Sequence, residues 1–293
     1  MAAHKPEIKK ILVDKVPVGD KTRIMGIINV SPESFYKQSV KLSVREIAKT
    51  AMEMEKQGAD FIDIGAMSTA PYLKTMISID EEIERLKPAV KIVKDACDLA
   101  VSVDTPRAKV ADAALNLGTD IVNDVTGLKY DPEMASVVAD HDASVILCAY
   151  EKHTVSGSAV KTTIDALKNS MKIASHAEIR SNKIIVDPAI GFFREKGNHP
   201  FFTRMKGTNW LDRDLILLRR LRDLHVLRKP VCISVSRKSF IGKILNIDNP
   251  EDRLLGSIAA EAICTLNGAH IIRTHNVSAT IQAVKIAEAI LRS

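Results

Sequence analysis

The densest chemistry in the sequence lies in one stretch, Val235-Ser236-Arg237-Lys238-Ser239-Phe240-Ile241-Gly242-Lys243. It follows the apolar run Val231 to Val235 and leads into a helical pattern, Ser239 to Leu245. Two cations therefore stand where a strand ends and a helix begins, a junction that faces the ligand site in parallel α/β proteins. Arg237 and Lys238 are neighbours, and successive residues of an extended chain point to opposite faces, so only one need enter a pocket. Read alone, a solvated basic turn accounts for the pair equally well.

Other runs end in similar residues. Arg273 and His275 are spaced by two and share a strand face. Asn29, Asp63, Asp104, Asn123 and Asp187 lie at or near the ends of apolar runs. Asn and Asp are ordinary turn and capping residues, but capping does not predict Arg237, Lys238, Arg273 and His275. The mixture predicts a mouth with carboxylates on one side and cations on the other. A carboxylate beside amides suits a flat heterocycle presenting N–H donors, because one carboxylate accepts two hydrogen bonds. Arg, His and Asn suit a phosphate or diphosphate with Mg²⁺, which keeps few protein ligands and favours phosphate oxygens. No HxxxH motif and no cysteine-based site argues for a transition metal.

The elements that must position these residues alternate along the chain. Residues 1–22 are a charged lead-in, with a small hairpin expected between Ile8 and Val18. Expected strands are Ile24 to Asn29, Phe61 to Gly65, Ala100 to Val103, Asp120 to Val122, Ser144 to Cys148, Ile184 to Val186, Val231 to Val235 and His270 to His275. Expected helices are Ser43 to Gln57, opened by a Ser43/Glu46 capping box and closed by Gly58, and Ser78 to Ala96, with a bend at Pro88. Pro106 to Leu117, Pro132 to Asp140, Ile164 to Asn182, Asp212 to Leu227, Ser239 to Leu245, Asp252 to Leu266 and Ser278 to Leu291 follow. Eight strand–helix units with no linker predict an α/β fold, a (β/α)8 TIM barrel over residues 23–293 as a single domain. A doubly wound open sheet is the alternative; no GxGxxG follows the first strand.

Composition agrees. Of 293 residues, 46% are hydrophobic and only 4% aromatic, so the core must be aliphatic, as helices packed on a parallel sheet require. The net charge of +6 is spread without a basic run, which does not resemble a nucleic-acid arm; it fits an anionic small substrate, and on charge alone it fits a generic cytoplasmic surface better. Cys97, Cys148, Cys232 and Cys264 form no CxxC motif and read as reduced thiols. No segment reaches about 18 consecutive apolar residues, so a soluble, cytoplasmic protein without membrane partners is expected.

The strand-end motifs together resemble dihydropteroate synthase, a pterin-binding family. The resemblance rests on Met25-Gly26-Ile27-Ile28-Asn29-Val30-Ser31-Pro32-Glu33-Ser34-Phe35, Ile62-Asp63-Ile64-Gly65, Ser68-Thr69-Ala70-Pro71, Val101-Ser102-Val103-Asp104-Thr105, Ile121-Val122-Asn123-Asp124-Val125, Val186-Asp187-Pro188-Ala189-Ile190-Gly191-Phe192, Ser236-Arg237-Lys238-Ser239-Phe240 and Arg273-Thr274-His275. It implies condensation of 6-hydroxymethyl-7,8-dihydropterin diphosphate with an arylamine, releasing diphosphate. By position it implies that Asp187 and Asn123 hold the pterin's amino and ring N–H edge and that Lys238 reaches its carbonyl and ring nitrogen. Asp104 would stabilise the developing cation, Arg237 would stack over the ring or bind an anion, and Cys148 would join the pterin site. Asn29, Arg273 and His275 would hold diphosphate, with Mg²⁺ beside Asn29 and Asp63 nearby. Thr69, Pro71, Ser236 and Phe192 would line the arylamine site, and late helices would form a homodimer.

The sequence also departs from the family pattern. Ala70 stands where the family's second loop carries Arg; Tyr36-Lys37-Gln38-Ser39 replaces Asp-Gly-Gly; strand five ends Leu147-Cys148-Ala149-Tyr150; and the loop Phe193 to Asp212 is longer and more aromatic. The pattern resembles the archaeal branch, which implies p-aminobenzoate or a ribofuranosyl-aminobenzene phosphate as the amine, in folate or methanopterin synthesis. Lys37, Lys74 and Arg204 are candidates to meet such a phosphate. A pterin-dependent methyltransferase and a non-catalytic pterin-binding protein are the alternatives. The Arg273–His275 pair and Lys238 favour the synthase, because a methyltransferase needs no diphosphate cations.

Overall fold

The computed structural model describes residues 11–34, 36, 40–41, 43–73, 75–197 and 199–293. Ile11–Val13 (β1) and Val16–Val18 (β2) pair antiparallel as a short hairpin. Its Ile11, Val13 and Val18 are buried while Leu12 is exposed, the alternation of a strand with one apolar face.

From there strands and helices alternate: β3 (Arg23–Asn29), α1 (Val44–Gln57), β4 (Phe61–Gly65), α2 (Ile79–Ala96), β5 (Ala100–Asp104), α3 (Ala108–Leu115), β6 (Ile121–Asp124), α4 (Met134–Asp140) and β7 (Ser144–Cys148). Then come β8 (Val155–Ser156), α5 (Ala159–His176), β9 (Ile184–Asp187), β10 (Phe193–Arg194), β11 (Thr203–Lys206), α6 (Trp210–Arg219), β12 (Cys232–Ser234), α7 (Ser239–Leu245), α8 (Leu254–Leu266), β13 (Ile271–Thr274) and α9 (Val277–Arg292). Eight parallel strands pair in the order β12-β13-β3-β4-β5-β6-β7-β9. A bridge from Val186 to Val231 joins the last to the first and closes the (β/α)8 barrel. Short β8, β10 and β11 form a separate small parallel sheet on the loops after β7 and β9.

Side-chain alternation separates two cores. Outward residues such as Ile24, Ile28, Ile62, Ile64, Val101 and Val103 pack under the helices. Inward residues at the strand starts form their own cluster inside the barrel. The capping box at α1 is present in both directions, Glu46 N–H to Ser43 Oγ and Ser43 N–H to Glu46 Oε2, each at 3.2 Å. Gly58 ends that helix at φ +95°, a conformation that favours glycine.

Several boundaries differ from expectation. Ser158 caps α5, so it starts at Ala159, not Ile164, and it stops at His176 before Glu178 turns left-handed at φ +62°. The polar lead-in is helical because Thr163 faces inward, where it accepts a hydrogen bond from Arg213. Asn209 caps α6 two residues early, and its second half is a 3₁₀ segment, Leu221–Leu227. α2 runs on through Pro88.

Candidate active site

Moving two residues along each inward strand face changes the barrel's interior from apolar to polar. Met25, Phe61, Ala100, Ile121, Ile146, Ile185, Cys232 and Ile271, one from each barrel strand, form the lower layer, capped by Ile11, Val13 and Val18 of the hairpin. The inward positions above them are Ile27, Asp63, Ser102, Asn123, Cys148, Asp187, Ser234 and Arg273. Above these a cleft of about 940 Å³, open to solvent, is lined by Asn29, Thr69, Pro71, Asp104, Asn123, Cys148, Asp187, Phe192, Ser236, Lys238, Arg273 and His275. Of the residues expected to hold the pterin, diphosphate or arylamine, all but Arg237 border this one cleft; Asp63, expected near Mg²⁺, does not.

Asp63 lies deeper than a strand-end position: it is mid-strand and fully buried. Its Oδ2 accepts from Arg273 Nε at 2.6 Å and from Asn123 Nδ2 at 3.2 Å. Arg273 Nη2 also donates to Asp104 Oδ2 at 2.8 Å. The expected separation of carboxylates from cations is therefore corrected: Arg273 bridges two acids. The reason is that only one and two strands stand between strand eight and strands two and three in the sheet, with these side chains on its inward face, and a buried charge must be paired. Burial pushes the Asp104 carboxyl up to about 7, opposed by Arg273 and reinforced by Asp63.

Asp187 Oδ1 accepts the Ala189 N–H at 2.6 Å. Burial raises its carboxyl, offset first by Lys238. Lys238 Nζ donates to the Ile190 carbonyl and sits 4.6 Å over the Phe192 ring. Desolvation lowers its ammonium to about 8, against the pull of Asp187. Cys148 Sγ lies 3.9 Å from Asn123 Oδ1, and burial pushes its thiol well above the ordinary value, so it contributes shape and not a thiolate.

His275 is not the cation its type suggested. Its ring Nδ1 is 3.0 Å from Ser236 Oγ, and desolvation with Arg273, Arg237 and Lys238 nearby holds it well below the usual imidazole range. A neutral ring supplies one N–H and one lone pair. Arg237 is the second correction. At φ +61° its side chain turns behind the strand end, donating to the carbonyls of Pro250 and Glu251 and to Asn276 Oδ1, with its Cζ 4.6 Å over the Tyr36 ring. It packs against the α7–α8 connection, where those carbonyls need a donor, and does not border the cleft.

Asn29 reaches over the end of strand two because Gly65 has no side chain; a Cβ there would stand 3.0 Å from Asn29 Oδ1. Among the described residues no cluster of three His, Cys, Asp or Glu forms a metal site. Arg204, on β11, is exposed and not part of the cleft wall, and Lys37 and Lys74 lie outside the described residues. Sequence reasoning missed Ser234 and Ser239 on the cleft wall, Tyr72 at its rim, and the buried pair Arg213–Asp214 beneath it. Period-two counting from Cys232 finds Ser234; no one-dimensional signal marks the buried pair.

The fold and site define a barrel enzyme whose mouth sets carboxylate, amide and ammonium groups beside an arginine and a histidine. The sequence profile of the family described as pterin binding enzyme matches residues 25–275. A dihydropteroate synthase of Synechocystis sp. is 34% identical over 281 residues, covering 94% of this chain and 92% of that protein. A dihydropteroate synthase structure from Coxiella burnetii, in complex with pteroic acid, superposes with TM-score 0.82 at 34% identity, over 96% of this chain and 98% of that one. One from Xanthomonas albilineans with 4-aminobenzoic acid gives TM-score 0.81 at 28% identity, over 97% and 98%. The chain belongs to the pterin-binding enzyme family, as a transferase of the dihydropteroate synthase type.

Proposed function

We propose that this chain joins 6-hydroxymethyl-7,8-dihydropterin diphosphate to p-aminobenzoate and releases diphosphate, in folate synthesis. The carrying observation is the division of the mouth. Asn123, Cys148, Asp187 and Lys238 come from four successive strands, and Arg273, Asn29, Asp63 and Asp104 from the other four. The first arc suits the pterin: Asp187 and Asn123 take its amino and ring N–H edge, and Lys238 donates to its carbonyl side. The second suits the bond that breaks. As the methylene C–O bond opens, the electron pair leaves with diphosphate, and Arg273, the His275 N–H and Asn29 meet the charge. Asp104 faces the cation left on the methylene. Preorganised groups of this kind act where charge develops.

The amine nitrogen then attacks the methylene carbon and gives up its proton to a diphosphate oxygen or water. An arylamine is already neutral and nucleophilic, so no covalent enzyme intermediate is needed. Thr69, Pro71, Phe192 and Ser236 form the amine's wall. Mg²⁺ fits a donor set of one amide, Asn29, with the partnerless Asp63 Oδ1 beneath, because such an ion is held mainly by diphosphate oxygens. Bound there, it would neutralise leaving-group charge.

We place the protein in the cytoplasm, in keeping with four free cysteines; among the described residues no helix is long and apolar enough to cross a membrane. Exposed Leu255, Ile263, Ile286 and Ile290 on α8 and α9 suit pairing with a second copy.

The test is diphosphate release from the pterin diphosphate with Mg²⁺ and p-aminobenzoate. Release with p-aminobenzoate is expected. Pterin binding without release, for p-aminobenzoate and the ribosylated amine alike, would leave only a binding protein.

A further inference from the structure

We propose that Arg213 and Asp214 are positioning residues for the pterin-holding turn, touching no substrate and fixing the backbone that aims Asp187 and Lys238. The inference rests on reading Asp187 as the pterin carboxylate. Both side chains are buried, at 1% and 0% exposure, on α6, and neither borders the cleft. Two adjacent opposite charges inside a core require a partner for each remaining polar atom. Here most of those partners are the turn's own peptide groups, with Thr163 and Arg194 beside them, and Arg213 Nε has none.

Arg213 Nη2 donates to the Pro188 carbonyl at 2.7 Å, and Nη1 to the Ala189 carbonyl at 3.0 Å and to Asp214 Oδ1 at 3.0 Å. Thr163 Oγ1 of α5 accepts from Nη2 at 3.0 Å, and the guanidinium lies 3.8 Å over the Phe193 ring. Asp214 Oδ2 accepts the Gly191 N–H at 3.0 Å. Two further contacts of the turn go to the site itself, Ala189 N–H to Asp187 and the Ile190 carbonyl to Lys238, and the Phe192 N–H donates to the Ala189 carbonyl at 3.1 Å. So from Pro188 to Gly191 the backbone is held from below by the pair and from above by the two pterin residues.

The turn needs that hold. Ala189 adopts φ +57°, and Gly191 +87°. A non-glycine residue keeps a left-handed conformation when its surroundings over-determine it. Without Arg213 the Pro188 carbonyl loses its side-chain donor and the Ala189 carbonyl keeps only the Phe192 N–H, so Ala189 can relax, its N–H swinging off Asp187 while the Ile190 carbonyl moves from Lys238. Arg213 also lowers the Asp187 carboxyl through space.

The experiment compares pterin diphosphate affinity and p-aminobenzoate KM in Arg213→Met, Asp214→Asn, Asp187→Asn and Arg23→Met. Arg23→Met removes another buried cation, 7% exposed, at the opposite end of the barrel, where it pairs with the more exposed Asp20 and Asp60. Arg213→Met and Asp214→Asn should weaken pterin diphosphate binding by about tenfold or more, the loss of one charge-assisted bond. The p-aminobenzoate KM should stay within about twofold. In Arg213→Met the acid limb of pterin binding should move to higher pH, since the carboxyl loses a nearby cation. Arg23→Met should lose stability and keep pterin affinity. If Arg213→Met does not fold, the nearly isosteric Asp214→Asn carries the measurement. Unchanged affinity in folded Asp214→Asn, with a loss in Asp187→Asn, overturns this inference alone. An equal loss in Arg23→Met overturns it too. Unchanged affinity in Asp187→Asn overturns the reading of the pterin site, and the positioning role with it.

Discussion

The two ends of this barrel are built from the same eight strands, two residues apart, and they obey opposite rules. At the bottom every inward side chain is apolar, and the hairpin closes the end. At the mouth the next inward positions carry Asp63, Asn123, Asp187 and Arg273, the last three lining the floor of the cleft and Asp63 buried beneath it. An apolar layer gains roughly 1.5–3 kcal/mol for each large side chain removed from water. A buried charged layer gains nothing until each charge is paired. The bottom can therefore be closed by any well-shaped apolar set, whereas the mouth must specify each partner. Function sits where the chain spends stability on geometry.

The comparison breaks most sharply at the bottom. Phe61→Ala should cost about 3–5 kcal/mol in denaturant unfolding and leave pterin affinity nearly unchanged in the folded fraction. A large affinity loss would mean that the layers are coupled. Arg273→Met tests the mouth. It should slow diphosphate release by about 10²–10³-fold, the scale for losing one preorganised donor, and push the Asp104 carboxyl higher by removing its cation. A rate close to that of the parent would remove Arg273 from the leaving-group site.

The pH dependence sharpens the same contrast. Below about 7 Asp104 takes up a proton and no longer stabilises the developing cation, so the rate should fall. Above about 8 Lys238 loses its proton and Asp187 loses its neighbouring cation, so pterin binding should fall. The rate profile should be a narrow bell between those limbs, and Asp104→Asn should abolish the acid one. A profile flat from pH 6 to 9 would contradict both assignments. The smallest effect belongs to the lid: Ile11→Val should cost about 0.5–1.5 kcal/mol and change no kinetic constant.

Most of the fold was legible because apolar runs of strand length alternate with capped helical patterns, and β4, β7 and α7 have the expected bounds. Boundaries failed where a polar residue faced inward, as Thr163 does in α5. The site's membership was legible as residue types at strand ends. Its pairing was not: Arg273 and Asp63 are 210 residues apart in sequence, and nothing local distinguishes a cation that bridges acids from one that waits for an anion. Arg237 and Lys238 show the same limit. Neighbouring positions implied opposite directions, and only packing against Pro250, Glu251 and Asn276 decided which cation enters.

What the sequence by itself determined is therefore the inventory and the alternation: eight strands, their inward positions, and the polar residues placed at one end. Those follow from local periodicity and capping, which act over a few residues. Tertiary structure alone decided the protonation of His275, the sharing of Arg273 by two acids, and the support of the pterin turn by Arg213 and Asp214. Each depends on desolvation and on charges brought close by the closed barrel, and neither exists before the chain is folded.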